Sequence, residues 1–388
     1  MTIQKSFVKR SLMLLCLLIL AFDASHVVNG QKQQPEQKPD TIDKYVIIDG
    51  DIQVSPSFYQ ELLAVARSPQ SAPIKYPTRL WPNGIVPFQF ETTCAATSTC
   101  TGALLSGCVS AANQTAMLNA MAELETAANV DFQQCANNRC SGNYVHIRDS
   151  TNDTTVGPNN TCENNAANNS AIGVKGGRQV LNTFRWGVKF AMAHELLHCL
   201  GFFHEHSRPD RDTYVRPICE NVRKGGCNSD RYKTDFTIKD DATAYGYYDF
   251  DSVMHYSQCN VSANNNCPNI TTEFPDGGIT LLVREPYNIE WQTKIGQRTH
   301  LSDLDRATLS FLYPPSDWRF LDISYNGGNG SPNGSFYRPY TSFEDAVTNT
   351  PAGGTIWLLR TQTIPAIGAY SKLITVKAAP GVVATLGG

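Results

Sequence analysis

Three histidines and one glutamate within eleven residues are the part of this sequence best suited to chemistry. His194 and His198 are four residues apart, so on a helix both imidazoles lie on one face and can reach a single metal ion. Glu195 stands beside them, where it can hold a water molecule bound to that ion. Gly201 permits a backbone turn with positive φ that brings His204 back towards the same point. Three neutral imidazoles with an open fourth position are typical of a catalytic zinc site rather than a structural one.

The alternative interpretation is an amphipathic helix that carries histidines on its surface. Five chemically matched positions within eleven residues make coincidence a poor explanation. The sequence therefore predicts one catalytic Zn²⁺ ion as the cofactor.

The motif and its surroundings resemble the astacins, a family of metzincin zinc metallopeptidases. Residues 204–212 (His-Glu-His-Ser-Arg-Pro-Asp-Arg-Asp) are similar to the astacin signature, and residues 248–256 (Tyr-Asp-Phe-Asp-Ser-Val-Met-His-Tyr) resemble the methionine turn of the family. Residues 79–88 resemble the start of the mature enzyme, and residues 301–313 resemble its closing helix. The likeness implies an α+β fold with a two-lobed metzincin catalytic domain. Its N-terminal half is a twisted mixed sheet with helices, its C-terminal half is irregular, and a small β-rich C-terminal segment follows.

The resemblance also assigns roles to individual side chains. The three zinc ligands would be His194, His198 and His204, with Glu195 as the general base. Tyr256 would be a fifth ligand in the substrate-free enzyme and would hydrogen-bond the reacting carbonyl once substrate is present. The thioether of Met254 would lie beneath the histidines as an apolar floor and would not bind the metal.

A short segment near the N-terminus resembles the pro-segment motif of the astacins. In that motif an aspartate after a glycine binds the zinc in place of water, and Asp51 is the matching position in residues 45–52 (Tyr-Val-Ile-Ile-Asp-Gly-Asp-Ile). A carboxylate on the metal displaces the nucleophile and so explains latency. An ordinary Asp-Gly-Asp turn is the alternative.

Activation would require a cut upstream of Trp81. Counting back from that residue as in the family places the mature N-terminus near Ala72, with Arg67 and Lys75 as the nearby basic residues. The resemblance implies that the new amino group pairs with Glu205, the glutamate after the third histidine. A plain surface carboxylate at this position is the alternative.

Composition and the N-terminal residues indicate export. Charged residues make up 17% of the chain and the net charge is −3, which favours neither nucleic acid nor an anionic membrane as a partner. Lys5, Lys9 and Arg10 precede an apolar run from Leu12 to Phe22, the pattern of a signal peptide. Twelve cysteines agree with an oxidising compartment. Glycosylation sequons begin at Asn113, Asn152, Asn159, Asn168, Asn260, Asn269 and Asn333.

The cysteines depart from the astacin pattern. The resemblance would place the long-range disulfide of the family at Asn129 and Pro314, and the partner of Cys162 at Trp186, so neither usual bridge is intact. The remaining cysteines mostly form pairs that are close in sequence, and disulfides between them would stabilise local turns. The predicted pairs are Cys135 with Cys140, Cys219 with Cys227, Cys259 with Cys267, and Cys94 with Cys100 or Cys108. We assign Cys199 to packing or to a bridge with Cys162.

Periodicity predicts the elements around the site. Residues 110–130 form a helix, because apolar residues recur on one face at Met117, Met121, Leu124 and Ala128. Residues 144–147 alternate and suit an edge strand, with which an extended substrate pairs in the astacin family. Lys175 and Arg178, in a segment that resembles the astacin cleft, either favour acidic residues just after the scissile bond or are solvated charges.

The C-terminal part has a different composition. After a Gly- and Asn-rich stretch, residues 338–347 and 353–359 resemble the first turn of a secreted right-handed parallel β-helix. Strand-like runs at 356–359, 373–376 and 383–386 give about two rungs, so the segment is either capped by the catalytic domain or is the start of a longer design. A binding or structural role, with glycan or matrix contact, suits it best.

The predicted organisation is a signal peptide (1–30), a pro-segment with the aspartate switch (31–71), an astacin-like zinc peptidase domain (72–316), and a linker with a β-helix-like segment (317–388). The first functional hypothesis is a secreted, extracellular zinc endopeptidase made as a zymogen. Its partners would be protein or peptide substrates, with no nucleic acid and no membrane contact after removal of the signal. The alternative is a secreted matrix or carbohydrate-binding protein with a vestigial metal site.

Overall fold

The structure is a computed structural model that describes residues 46–48, 51–54, 77–92, 97–98, 104–105, 107–156, 162–164, 167–239, 245–365 and 368–387. The predicted signal peptide lies outside the described residues, and so does the expected activation region with Arg67, Ala72 and Lys75. Cys94, Cys100 and Asn159 also lie outside them.

The described helices and strands follow the chain in a mixed α and β order. The helices are α1 (Ala111–Ala127), α2 (Lys189–Cys199), α3 (Asp230–Asp235), α4 (Asn288–Trp291), α5 (Asp303–Leu312) and α6 (Phe343–Asn349). The strands of the N-terminal half are β1 (Val46–Ile48), β2 (Ile52–Val54), β3 (Ile85–Phe90), β4 (Thr97–Ser98), β5 (Leu104–Leu105), β6 (Asp131–Gln134), β7 (Tyr144–Asp149), β8 (Thr154–Val156), β9 (Cys162–Asn164), β10 (Ser170–Ala171) and β11 (Arg178–Thr183). The remaining strands are β12 (Val215–Pro217), β13 (Leu281–Val283), β14 (Trp318–Leu321), β15 (Thr355–Leu358), β16 (Gln362–Ile364), β17 (Thr375–Ala378) and β18 (Ala384–Leu386).

The main sheet of the N-terminal half has the order β11-β7-β3-β6, and its strands pair in parallel. Next to the short strand β10, Asn169 forms an antiparallel bridge with Asn182 of β11, so both parallel and antiparallel pairing occur at this edge of the sheet. The predicted α+β fold is confirmed. The prediction that residues 144–147 form an edge strand is wrong, since β7 lies between two partners. Alternation reports which faces of a strand are buried and carries no information about its neighbours.

Helix α1 packs against α2. Ser110 caps it by accepting a hydrogen bond from the Asn113 N–H at 3.2 Å, the arrangement that satisfies an otherwise unpaired amide at a helix start. The predicted apolar face is confirmed at Met117, Met121 and Leu124, which are buried and pack towards α2. The helix ends at Ala127 rather than at residue 130, because Ala128 takes up an extended conformation.

The C-terminal half, up to α5, is largely irregular, and local disulfides occur in both halves. The predicted disulfides Cys135–Cys140, Cys219–Cys227 and Cys259–Cys267 are all present. Cys108 is also disulfide-bonded. Cys199 is a buried free thiol, which leaves packing as its role among the two alternatives. At the position of the missing long-range bridge, the Asn129 N–H donates to the Tyr313 carbonyl at 3.0 Å.

The C-terminal segment forms two parallel sheets, β14-β15-β17 and β16-β18, in the manner of stacked β-helix rungs. It packs against α5 through aromatic rings. The ring of Phe311 in α5 lies 5.3 Å from Phe320 and 4.9 Å from Trp357, measured between ring centroids. Phe320 is fully buried in the same core as the residues of α1 and α2. Among the described residues, no helix combines the length and apolar character needed to cross a bilayer.

Candidate metal centre

Helix α2 and the turn after it bring three histidines to one point. The chain from Ala191 to Cys199 is buried, so His194 and His198 face the interior, and their ring centroids are 4.7 Å apart. Gly201 has φ +105° and its N–H donates to the His198 carbonyl at 2.9 Å, which ends the helix and reverses the chain. His204 then enters with its ring 4.8 Å from that of His198, and its Nε2 is 3.2 Å from the Nε2 of His194.

Backbone carbonyls orient two of these rings. The Nδ1 of His194 is 2.9 Å from the Val253 carbonyl, and the Nδ1 of His198 is 2.6 Å from the Phe202 carbonyl. A carbonyl can only accept, so each Nδ1 carries the proton and each Nε2 presents its lone pair to the centre. Burial lowers the pKa of both imidazoles, which favours the neutral form that binds metal.

Asp51 reaches into this cluster from the turn between β1 and β2. Its Oδ2 is 3.3 Å from the Nε2 of His194, and its Oδ1 is 3.5 Å from the Nε2 of His198 and 3.2 Å from that of His204. Burial raises the pKa of this carboxyl, but electrostatic attraction to His204 and the close approach of all three histidine side chains hold the pKa well below its usual value. The side chain is therefore an ionised carboxylate facing three imidazoles.

The donor set fits a zinc ion. One ligand atom from each of Asp51, His194, His198 and His204 lies within 4.8 Å of the others, and nitrogen with carboxylate oxygen is a usual zinc environment. Within the described part of the chain, the Nε2 of His198 and the Oδ1 of Asp51 are buried without a hydrogen-bond partner, which a cation would resolve. The other described group with metal-binding side chains, Cys219 with Glu220 and Cys227, is excluded because its cysteines form a disulfide.

Glu195 lies buried beside the cluster, with 2% of its surface exposed. Its Oε2 makes no hydrogen bond to any described residue, so the carboxyl group is available to a bound water molecule or substrate. Burial and the nearby charge of Asp51 raise its pKa well above the usual value. Ser170 of β10 fixes the helix at this point by donating to the Glu195 backbone carbonyl at 2.7 Å.

The methionine turn is held by helix α5. Asp305, in the first turn of α5, accepts from the Val253 N–H at 2.8 Å and from the Ser252 hydroxyl at 2.7 Å. It also completes a capping box with Ser302. The carbonyl of Val253 is the partner of His194, so α5 positions the ligand through this turn. Met254 is buried at 1% exposure in the same hydrophobic core as Leu196 and Leu197 of α2.

Tyr256 lies at the edge of the cluster, and two further histidines nearby, His206 and His255, make structural contacts. The Tyr256 ring lies 4.6 Å from that of His204 and stacks on His206 at 3.9 Å. His206 Nε2 bonds to the Asp235 carbonyl at 2.9 Å, and His255 Nε2 is 2.8 Å from the Tyr248 hydroxyl. Neither belongs to the group of metal-binding side chains.

Glu205 follows the third histidine and lines a small cavity. Its Oε1 accepts from the Arg208 guanidinium at 3.0 Å and from the Asp249 N–H at 2.8 Å. Burial, opposed in part by Arg208, raises the pKa of Glu205 to about 8. Asp249 and Asp305 line the same small cavity, so this buried region is rich in carboxyl groups.

Arg298 is a residue of the site that sequence reasoning missed. Its guanidinium is partly buried and donates to the His255 carbonyl at 3.2 Å. Its positive charge acts on Glu195, whose pKa it lowers, and on His194. An isolated arginine between the methionine turn and α5 has no spacing pattern that could have identified it.

Comparisons with known proteins agree with this geometry. The family model described as Astacin, a peptidase family, matches residues 73–314. Zinc metalloproteinase nas-34 of Caenorhabditis elegans is 35% identical over 154 residues, which cover 38% of this chain and 22% of the relative. Astacin-like metalloendopeptidase of Coturnix japonica is 30% identical over 250 residues (64% and 49%), and Bone morphogenetic protein 1 of Xenopus laevis is 30% identical over 264 residues (66% and 31%).

The chain thus spans about half or less of the length of these three relatives. Among solved structures, High choriolytic enzyme 1, a hatching enzyme zinc-protease from Oryzias latipes, has a TM-score of 0.41 and 23% sequence identity to this chain. That match covers 60% of this chain and 92% of the other.

Proposed function

The chain belongs to the astacin family of zinc peptidases, because the family model covers residues 73–314, and from this premise we propose that it is a secreted zinc endopeptidase made as a zymogen. One observation carries the proposal. The three histidines and Asp51 meet within 4.8 Å, with the buried carboxyl group of Glu195 beside them. The ligands, the base and a candidate latency residue are therefore assembled at one point.

Each side chain then has a defined task. His194, His198 and His204 would hold the zinc ion, which when bound polarises a peptide carbonyl and makes water more acidic. Glu195 takes the proton from the attacking water and passes it to the leaving amine, a task that suits a buried carboxyl group whose Oε2 has no hydrogen-bond partner among the described residues. Tyr256 is the proposed fifth ligand, and it donates a hydrogen bond to the carbonyl oxygen as negative charge develops there. Met254 supports the ligands from the core.

Latency would come from the pro-segment. Asp51 would take the place of the water on the zinc ion, and the pairing of β2 with β10 supports a pro-segment that would block the site beside it. Cleavage near Ala72 would release it. The new amino group would then pair with Glu205, whose buried environment already contains Asp249 and Asp305.

The proposed domain organisation follows the same division. Residues 1–30 would be a signal peptide, 31–71 the pro-segment, 72–316 the peptidase domain and 317–388 the C-terminal segment. The packing of Phe320 and Trp357 against Phe311 supports a structural role for that segment beside any glycan or matrix contact. The disulfides support export to an oxidising compartment. The alternative of a vestigial site is not favoured, since every side chain that the chemistry requires is present.

Limited proteolysis with and without a chelator tests the proposal. Protein secreted by eukaryotic cells should not digest casein until trypsin has removed the pro-segment and has then itself been inhibited, and N-terminal sequencing should place the new end upstream of Trp81. Ortho-phenanthroline should then abolish digestion, and added zinc should restore it. Meta-phenanthroline, which does not chelate, is the matched control. Digestion that survives ortho-phenanthroline, or an activated protein that remains inert, would contradict the proposal.

A further inference from the structure

A glutamine of the proposed pro-segment is buried where an exposed polar side chain would be expected. In β2, Ile52 is opposite Ser170 and Gln53 is opposite Ala171, and the Ser170 N–H donates to the Asp51 carbonyl at 2.9 Å. Gln53 is only 2% exposed. A buried amide group needs hydrogen-bond partners, so the cleft must supply them.

The partner is a chain of amide groups that runs into the sheet. Gln53 donates through Nε2 to the Oδ1 of Asn169. The same oxygen accepts from the Nδ2 of Asn182 at 2.8 Å, and the Oδ1 of Asn182 accepts from Arg148 at 3.2 Å. Two backbone hydrogen bonds, of 3.1 and 2.9 Å, hold Asn169 and Asn182 opposite each other. We name these three residues, Asn169, Asn182 and Arg148, the amide relay.

The arginine fixes the polarity of the relay. A guanidinium group can only donate, and Arg148 is itself held by Asp153 through contacts of 2.6 and 2.7 Å. Asn182 must therefore turn its oxygen to Arg148 and its NH₂ group to Asn169. Asn169 must in turn present its oxygen, whose second lone pair is left for the incoming side chain. With Gln53 in place Asn169 is only 5% exposed, so a side chain bound at this position shields that oxygen from water.

We infer that the amide relay is a substrate-binding subsite that selects a side chain with a hydrogen-bond donor, glutamine above all. The selected side chain is two residues from the one at the metal centre. The inference rests on the proposed function, because an extended substrate would pair with the same edge at β10 that β2 occupies. A leucine in the position of Gln53 would leave the Asn169 side-chain oxygen without a hydrogen-bond donor. A glutamate in that position would place a second acceptor next to the Asn169 oxygen.

Peptides with the sequence of residues 44–54 test this selectivity. Fluorescent versions with Gln, Leu or Glu at position 53 are titrated with the activated, zinc-loaded protein, and the Kd is read from fluorescence anisotropy. The Gln peptide should bind about 10-fold tighter than the Leu peptide and about 100-fold tighter than the Glu peptide. Dissociation constants within about twofold of one another would overturn the inference.

An Asn182→Asp variant should abolish the preference. The new carboxylate cannot donate, so the Asn169 amide turns its NH₂ group towards both the carboxylate and the incoming side chain. The Kd of the Glu peptide divided by that of the Gln peptide should then fall from about 100 to about 1. Asn143→Asp is the matched control, because Asn143 also accepts through its oxygen, from the Gly177 N–H, and is exposed.

The substrate-binding subsite and the proposed peptidase function are tested by separate measurements. Anisotropy needs no hydrolysis, so the peptide ranking tests the relay even in a protein that does not digest casein. A protein that digests casein but does not rank the peptides overturns the relay alone. If Asn182→Asp does not fold, as judged by its thermal unfolding, the ranking by the unsubstituted protein decides.

Discussion

Replacing Glu195 with alanine abolishes peptide hydrolysis and leaves the zinc content at one ion per chain. The reason is that Glu195 lies beside the cluster but is not one of its four ligand residues. Loss of the base removes the proton transfers at the attacking water and the leaving amine, so kcat should fall by about a thousandfold or more. The three imidazoles and their carbonyl partners at Val253 and Phe202 remain.

The measurement is kcat on a quenched fluorescent peptide together with zinc content by atomic absorption, both on trypsin-activated protein. Glu220→Ala is the matched control, because Glu220 is exposed and should lose neither activity nor metal. Full turnover in the purified Glu195→Ala protein would refute the assignment of the base. Loss of zinc together with activity would show instead that Glu195 is needed to hold the ion.

The second large effect is expected at Asp51. In the uncut chain, Asp51→Ala removes the carboxylate that lies 3.2 to 3.5 Å from the three imidazoles. Water would then reach the metal site, while β2 stays bound through its backbone, the buried side chain of Ile52 and Gln53. Hydrolysis of the quenched peptide by uncut protein should rise at least about tenfold, since hydrogen bonds to charged groups contribute about 1.5–3 kcal/mol each.

The control for this experiment lies in the same motif. Asp49 precedes the glycine and Asp51 follows it, and the astacin resemblance selects the latter. Asp49→Ala should therefore leave the uncut protein silent. N-terminal sequencing must show that both variants remain uncut during the assay. A silent Asp51→Ala protein, or equal rates for the two variants, would contradict the proposed switch.

The histidine part of the metal centre could be predicted from the sequence, because the helical period relates residues that are close in the chain. The spacing of His194, His198 and His204 around Gly201 is enough to predict convergence. Asp51, 143 residues before His194, could be assigned only through the family resemblance. Gln53 and Asn169 are 116 residues apart, and no sequence pattern near either residue predicts their contact. Buried polar pairs of this kind depend on tertiary packing, which residue spacing does not encode.

The fold shows the same division between local and distant information. The apolar face of α1 was predictable because Met117, Met121 and Leu124 repeat with the helical period. The neighbours of β7 were not, because a strand buried by two partners shows the same alternation as one at an edge. Three strands of the C-terminal segment, β15, β17 and β18, were anticipated to within about two residues, whereas β14 and β16 were not. Its packing against Phe311 depends on aromatic contacts that only the folded chain reveals.

X-ray absorption at the zinc edge, on uncut and activated protein, tests the central claim most directly. The account predicts one zinc per chain, with three imidazole nitrogens at about 2.0–2.1 Å and no sulfur. It also predicts that one oxygen of the uncut form is lost or exchanged when Asp51→Ala is measured. A protein that binds no zinc, or a shell with fewer than three imidazoles or with a sulfur at about 2.3 Å, would contradict it.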